Sequence, residues 1–402
     1  MTDQNSWTIE EVACARRDTP HVDERIFFTS AGCAPVPRPV LDRQAHFLEC
    51  EQRYGGYRAR DELKAEIDQV YDRIALLHGV ASTEVAILDN ASRAWSLIVY
   101  SIPFSTGDEI ITCETEYHSN FLSFLHLRDT RGVRIVVAPS LPSGELDVSR
   151  LESVLSKRTR LIALSHVPTN SGLVQPVSEI GAFARKHGLP FLLDACQSVG
   201  QMPVDATAIG CSALVASGRK FLRAPRGTGY LWIDPSFQSS LSPAMIEGQS
   251  ADWIDASSYV VRTDARCFET WEKNYAAVVG LGAAVGYAER WGLPKIAARV
   301  EELAQSLRSH LRQVDGVTVC DQGSRQCGIV SFTIRGLSAE DAFRAYREKG
   351  IELGYSGRGS TLLDMERRGL AAIVRASIHY FNTTEEIARM AEVTRQLSAG
   401  HC

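Results

Sequence analysis

The sequence predicts an α/β protein, with a large domain built on a seven-stranded, mostly parallel sheet and a smaller C-terminal α+β domain. Between residues 85 and 235 short apolar runs alternate with helical stretches, the signature of parallel strands buried on both faces and joined by crossover helices. After about residue 292 that alternation gives way to a mixture of strands and helices. The composition, 45% hydrophobic and 23% charged, is that of a folded globular chain. A chain of 402 residues has room for two or three domains of about 150 residues.

In order along the chain, residues 1–25 read as an arm or short helix, and Ile26-Phe27-Phe28 as a strand running into the loop Thr29-Ser30-Ala31-Gly32. Apolar residues recur at helical spacing from Leu41 to about Arg53. They do so again from about Arg60 to His78, where Leu63, Ile67, Val70, Tyr71 and Ile74 share a face and Gly79 ends the helix. Seven strands are expected at Val85–Leu88, Glu109–Thr112, Val133–Ala138, Leu161–Ser165, Pro190–Leu193, Ala213–Ala216 and Gly229–Ile233. A helix follows at Tyr275–Trp291, and Gly292-Leu293-Pro294 marks the boundary between a large domain at 26–292 and a small one at 293–402. Within the latter, Ile296, Val300, Leu303, Leu307, Leu311 and Val314 outline an amphipathic helix. Val317–Val319 and Ile329–Ile334 read as strands, Ala339–Lys349 and Thr384–Leu397 as helices.

Several functional classes are disfavoured. Lys+Arg 43 against Asp+Glu 48 leaves a net charge of -5, not the basic stripe of a nucleic-acid binder. The longest uncharged run near the middle, Asn274 to Ala288, contains three glycines and falls short of the ~18 apolar residues that span a membrane. The polar N-terminus lacks the apolar core of a secretory signal, and a cytoplasmic location is expected. The ten cysteines include no Cys-x-x-Cys pair, so reduced thiols and no metal site are expected. Gly280-Leu281-Gly282-Ala283-Ala284-Val285-Gly286 imitates a dinucleotide fingerprint but carries one residue too many; a close-packed helix face is the simpler reading.

In open α/β sheets ligands gather at the carboxyl ends of the strands. After Leu88 comes Asp89-Asn90-Ala91-Ser92, small and polar residues opening a helix, which suits an anion or an ordinary cap. Later strand ends lead into Glu114-Thr115-Glu116-Tyr117-His118-Ser119-Asn120, His166-Val167-Pro168-Thr169-Asn170, Asp194-Ala195-Cys196-Gln197-Ser198 and Ser217-Gly218-Arg219-Lys220. A partly desolvated lysine at a strand end can lose its proton and form a Schiff base. An aspartate on the neighbouring strand can hold a pyridinium nitrogen protonated. That Lys and Asp pair is the one used with pyridoxal phosphate.

From Ile26 to about Asn382 the chain resembles the class V aminotransferase superfamily of fold type I pyridoxal phosphate enzymes, which includes cysteine desulfurases, selenocysteine lyases and C–S lyases. The most specific stretch is Leu193-Asp194-Ala195-Cys196-Gln197-Ser198 followed by Ser217-Gly218-Arg219-Lys220. The resemblance implies that Lys220 carries pyridoxal 5'-phosphate as a Schiff base, that Asp194 pairs with the ring nitrogen, that Gln197 bonds the ring hydroxyl and that His118 stacks over the ring. Ala91, Ser92, Ser217 and Arg219 would take the phosphate. Arg375 would bind the substrate carboxylate as a bidentate fork, with Asn170 nearby. Thr270 would reach the phosphate of a partner subunit, which implies a homodimer with shared sites.

Two departures from the family pattern shape the expected reaction. Arg219 stands where the family usually has His. The loop Gly354-Tyr355-Ser356-Gly357-Arg358-Gly359-Ser360-Thr361, ahead of Arg375, has no cysteine, whereas cysteine desulfurases carry a mobile one there. The expected activity is a C–S β-lyase acting on an S-substituted L-cysteine, conjugate or S-oxide, with pyruvate, ammonia and a thiol or sulfenate as products, in a setting of secondary metabolism. Decarboxylation with oxidative deamination of such a conjugate to an aldehyde is the alternative, and an aminotransferase or amino-acid epimerase a further one. Tyr54, Tyr57, Arg58, Arg60, Trp271, Tyr355 and Arg358 are candidates for the pocket entrance.

Overall fold

A computed structural model describes residues 6–400. Its main sheet has seven strands. In spatial order they are Val85–Leu88, Gly229–Ile233, Ala213–Ser217, Phe191–Asp194, Thr159–Ser165, Glu109–Thr112 and Arg134–Val137. Neighbours are parallel except at Gly229–Ile233, which runs antiparallel to the strands on both sides of it. Six of the seven strands are buried almost throughout, Arg160 apart, whereas the edge strand Arg134–Val137 lies at the surface. This explains why the sequence shows continuous apolar runs there rather than alternation.

Helices Arg38–Tyr54, Lys64–His78 and Tyr275–Trp291 pack together, and the glycines of the last belong to that packing. A Cβ on Gly280 would come within 2.7 Å of Pro225 Cγ, and one on Gly282 within 2.7 Å of Val70 Cγ2. These glycines therefore let helices approach. They lie inside a helix, not at its phosphate-binding start.

The C-terminal part has a four-stranded antiparallel sheet in the order Val317–Val319, Ile329–Ile334, Ala372–Ser377, Gly354–Gly357. Its apolar cluster joins Leu303, Leu307 and Leu311 of the helix Leu293–Arg312 to Val330, Phe332, Val374 and Ile387. The same helix sends Ile296 and Val300 into the large central cluster, so one amphipathic element ties the two cores together. Ile26–Phe27, expected in the large domain, instead pairs in parallel with Ile351–Glu352, and Phe28 is buried in the C-terminal cluster. That return is a long-range pairing, which local pattern does not reveal. The hairpin of Ala251–Asp255 and Ser258–Val261 was not anticipated either. Trp253 and Tyr259 stand exposed on it, so no buried face imposed a period on its sequence.

Candidate active site

Each functional loop leaves the same edge of the sheet, because parallel strands end there together and Gly229, which begins the antiparallel strand, pairs with both Leu88 and Ser217. Gly229 is required by closeness: a Cβ there would lie 2.6 Å from the Asn90 carbonyl carbon and 2.7 Å from the Ala91 nitrogen. The start of helix Ala91–Ser101 is thus drawn onto the sheet edge, capped by Asn90 Oδ1 accepting from Arg93 N at 2.8 Å. Gly218 has a similar role two residues before Lys220, since a Cβ would meet Thr228 Oγ1 at 2.2 Å.

Asp194 ends the strand Phe191–Asp194, and Lys220 follows the adjacent strand Ala213–Ser217. Asp194 is buried. Its Oδ1 accepts from Cys196 N at 2.9 Å and its Oδ2 from Asn120 Nδ2 at 2.8 Å. Burial lowers the Lys220 pKa from the usual lysine value; Cys196 and Asp194 oppose this, while the cations Arg219 and Arg375 add to it. Lys220 Nζ lies 5.9 Å from the centre of the Tyr117 ring.

His118, expected to stack over the ring, lies next to this contact. His118 is exposed as the first residue of its helix, with its ring edge-on to Tyr117 at 4.3 Å. Tyr117, one residue earlier, is the aromatic that faces the amine. Tyr117 is the half-buried N-cap with extended backbone, and His118 opens the helix on its exposed side.

Thr169 links two of the other expected residues. Arg375 Nη1 donates to Thr169 O at 2.9 Å and to Thr169 Oγ1 at 2.7 Å, while Gln197 Nε2 lies 3.4 Å from Thr169 Oγ1 and donates to Ala31 O at 3.1 Å. Asn170 Nδ2 donates to Thr361 Oγ1 at 3.1 Å, from the turn that follows Gly354–Gly357. Around this chain three buried polar atoms have no partner: Gln197 Oε1, Asn170 Oδ1 and Arg375 Nε. Burial lowers the Arg375 pKa to about 10, with Tyr117 opposing and Arg219 reinforcing the shift. Unpaired buried polar atoms cost free energy, and a cluster of them beside an amine and a carboxylate marks a place for a polar ligand.

Of the remaining expected residues, Ser217 and Ala91 both lie against Gly229. Ser217 is buried at its strand end, and Ser92 is exposed on the first turn of Ala91–Ser101. The Arg219 guanidinium donates to Gly32 O. Thr270 Oγ1 donates to Glu272 O at 3.2 Å and lines a cavity of about 170 Å³ together with Asp89 and Arg93. At the expected entrance, Arg60 lies over both Tyr57 and Trp271. Tyr355 packs on Phe343, and Arg358 pairs with Glu366. Sequence reasoning assigned no role to Tyr117, Thr169, Thr361, Glu116 or Asn120; the strand-end segments Glu114–Asn120 and His166–Asn170 were the available signal. Among the described residues no group of three or more His, Cys, Asp or Glu is arranged to hold a metal ion, and no helix is long and apolar enough to cross a membrane.

Fold and site together define a fold type I pyridoxal-phosphate-dependent enzyme. The aminotransferase class-V family model matches residues 26–390, and the chain belongs to that family. It is 30% identical over 389 residues to a probable cysteine desulfurase of Methanothermobacter thermautotrophicus, covering 95% of this chain and 97% of the relative. The apo structure of a cysteine desulfurase from Thermococcus onnurineus NA1 superposes with a TM-score of 0.91 at 27% identity, over 98% of this chain and 99% of that one. The cystine C–S lyase C-DES, solved with its reaction product cysteine persulfide, shares the fold at a TM-score of 0.85 and 22% identity, over 94% and 99% of the two chains. Pyridoxal phosphate fits the residues present. An amine and a carboxylate on neighbouring strands, an inward aromatic, a helix start drawn in by Gly229 and unpaired amide and guanidinium atoms are the partners that a flat, anionic, hydrogen-bonding ring needs.

Proposed function

We propose that this enzyme is a C–S β-lyase that cleaves an S-substituted L-cysteine, a conjugate or its S-oxide, to a thiol or sulfenate, pyruvate and ammonia. The observation that carries the reading is the segment ahead of Arg375. The strand Gly354–Gly357 pairs with Ala372–Arg375, and the turn Arg358–Thr361 follows; no cysteine lies in either. Three of the buried thiols are poor thiolates. Burial pushes Cys327 up to about 11, raises Cys320, and raises Cys196 well above its usual value, beside the Asp194 charge. A β-elimination needs no protein thiol, whereas forming a persulfide on the protein does.

Bound at Lys220, pyridoxal phosphate supplies an electron sink for a Cα carbanion. The roles of the chain's own residues then follow. Asp194 holds the ring nitrogen protonated, and Gln197 and Asn170 meet the polar edge of the ligand pair with their unpaired amide oxygens or, by turning the amide, with their N–H groups. Ala91, Ser92 and Ser217 receive the phosphate, joined by Thr270 of a second copy in a homodimer. Arg375 takes the substrate carboxylate on its unpaired Nε and the adjoining Nη. Lys220, with its basicity reduced by burial, accepts the Cα proton as a general base, a role typically worth about 10²–10⁴ in rate. The Cβ–S bond breaks, sulfur leaves with the electron pair, and water completes the release of pyruvate and ammonia. A cytoplasmic location belongs to the same reading.

The test is to incubate the holoenzyme with S-alkyl cysteines and their S-oxides and to assay pyruvate, thiol, CO₂ and aldehyde. Pyruvate and thiol in equal amounts are expected. Release of CO₂ with an aldehyde, a requirement for a keto acid, or alanine with sulfur left on the protein would overturn the proposal.

A further inference from the structure

Two residues that neither the family resemblance nor the proposed reaction uses join the functional loops from behind. Glu116 is a buried carboxylate that accepts from Ser165 Oγ at 2.6 Å, Ser165 N at 3.0 Å, Tyr117 N at 2.8 Å and Asn120 Nδ2 at 2.9 Å. Asn120, also buried, spends its amide on two acids, for the same Nδ2 donates to Asp194 Oδ2 at 2.8 Å. With a carboxylate on each side, only the NH₂ orientation of Asn120 is tolerable. Asp194 is thus held at both oxygens, by Asn120 and by Cys196 N, and cannot rotate.

No basic side chain pairs with Glu116 among the described ion pairs, unlike the buried acids Glu269 and Asp321, which pair with Lys273 and Arg308. Its negative form is supported by hydrogen bonds alone. Burial moves it up to about 7, with Asp194 adding to the rise and Ser165, Asn120 and Tyr117 N restraining it. Keeping an unpaired acid at that depth is costly, and the groups it organises are the two that flank the Lys220 amine.

We infer that Glu116 and Asn120 are positioning residues for the cofactor: through Asn120 they fix the carboxylate of Asp194 for the ring nitrogen, and through Tyr117 N they seat the aromatic that faces Lys220. The inference rests on the role proposed for Asp194 and not on the choice of lyase.

The readouts are the affinity of the apo chain for pyridoxal phosphate, by absorbance titration, and the visible circular dichroism per bound cofactor, which reports how the ring is seated. Asn120→Ala should weaken binding about tenfold, the equivalent of one charged hydrogen bond, and change the dichroism. Ser165→Ala removes one hydroxyl from Glu116 with little change of volume, and should produce the same change in smaller degree, about two- to threefold. It decides the matter if Asn120→Ala does not fold. Wild-type affinity and dichroism in both folded variants, or in Ser165→Ala alone where Asn120→Ala is lost, would overturn the inference, whatever their melting temperatures. Asp194→Asn separates the two levels. If it too leaves both readouts unchanged, the role of Asp194 has failed; if it abolishes them while Asn120→Ala and Ser165→Ala do not, only the positioning role has.

Discussion

Two arginines, Arg308 buried and Arg375 half-buried, sit at opposite extremes of satisfaction. Arg308 Nε pairs with Asp321 at 2.7 Å, and its Nη2 donates to Cys327 O and Ile329 O. Asp321 in turn accepts from Gly172 N, Ser331 N and Ser331 Oγ. Among the described residues Arg375 has no acid partner, leans on a single threonine and leaves its Nε unpaired, with Gln197 Oε1 and Asn170 Oδ1 unpaired around it. Buried charge is stable when its partners are complete and strongly destabilising when one is removed. The first cluster is therefore a fastening inside the fold. On the proposed reading, the second keeps its hydrogen-bonding capacity for a ligand beside Lys220 that brings an acceptor for Arg375 Nε and donors for the two amide oxygens.

That contrast can be broken or sharpened by experiment. The largest effect is expected at Lys220, since Lys220→Ala removes both the anchor and the proton acceptor. The visible band of the Lys-bound cofactor should vanish and turnover should fall by about 10²–10⁴ or more, with the melting temperature of the apo chain little changed. Next comes Arg308→Ala, which strands Asp321 among donors without its cation and should cost about 3–5 kcal/mol in denaturant unfolding; a loss below about 1 kcal/mol would mean that complete pairing is not what holds this region together.

Arg375→Ala should show the opposite pattern. Unfolding should change by about 1 kcal/mol or less, while KM for the amino-acid substrate rises about ten- to hundredfold through loss of charged hydrogen bonds. An equal loss of stability in the two arginine variants would erase the distinction. Smallest is the pair Tyr117→Ala and His118→Ala. An aromatic contact worth about 0.5–1.5 kcal/mol predicts that the first weakens pyridoxal phosphate binding by up to about tenfold and that the second leaves it unchanged. The reverse outcome would assign the stacking to His118.

The site's backbone was legible because parallel strands announce themselves. Val85–Leu88, Glu109–Thr112 and Gly229–Ile233 lie where their apolar runs placed them, and Lys220 and Asp194 stand out as polar residues just past such runs. The contact of Tyr117 with Lys220 was not legible, because one residue of register at a helix start decides which ring turns toward the amine. Thr169 and Thr361 are ordinary loop threonines until Arg375 and Asn170 come across from distant parts of the chain to meet them. The hairpin Ala251–Val261 buries no face, and so left no period to read.

Burial on both faces of a sheet imposes hydrophobic runs, and crossover helices impose spacing, so the order of residues alone determined the architecture, the carboxyl-end location of the chemistry and the lysine–aspartate pair. Which side chains complete one another was decided only in three dimensions. Hydrogen bonds act over about 3 Å, and the partners that matter here, Arg375 with Thr169 and Asn120 with Asp194, are separated by 206 and 74 residues of chain. No local pattern carries that distance; only the packed fold brings the groups together, and only there does it emerge which of them remain unpaired for a ligand.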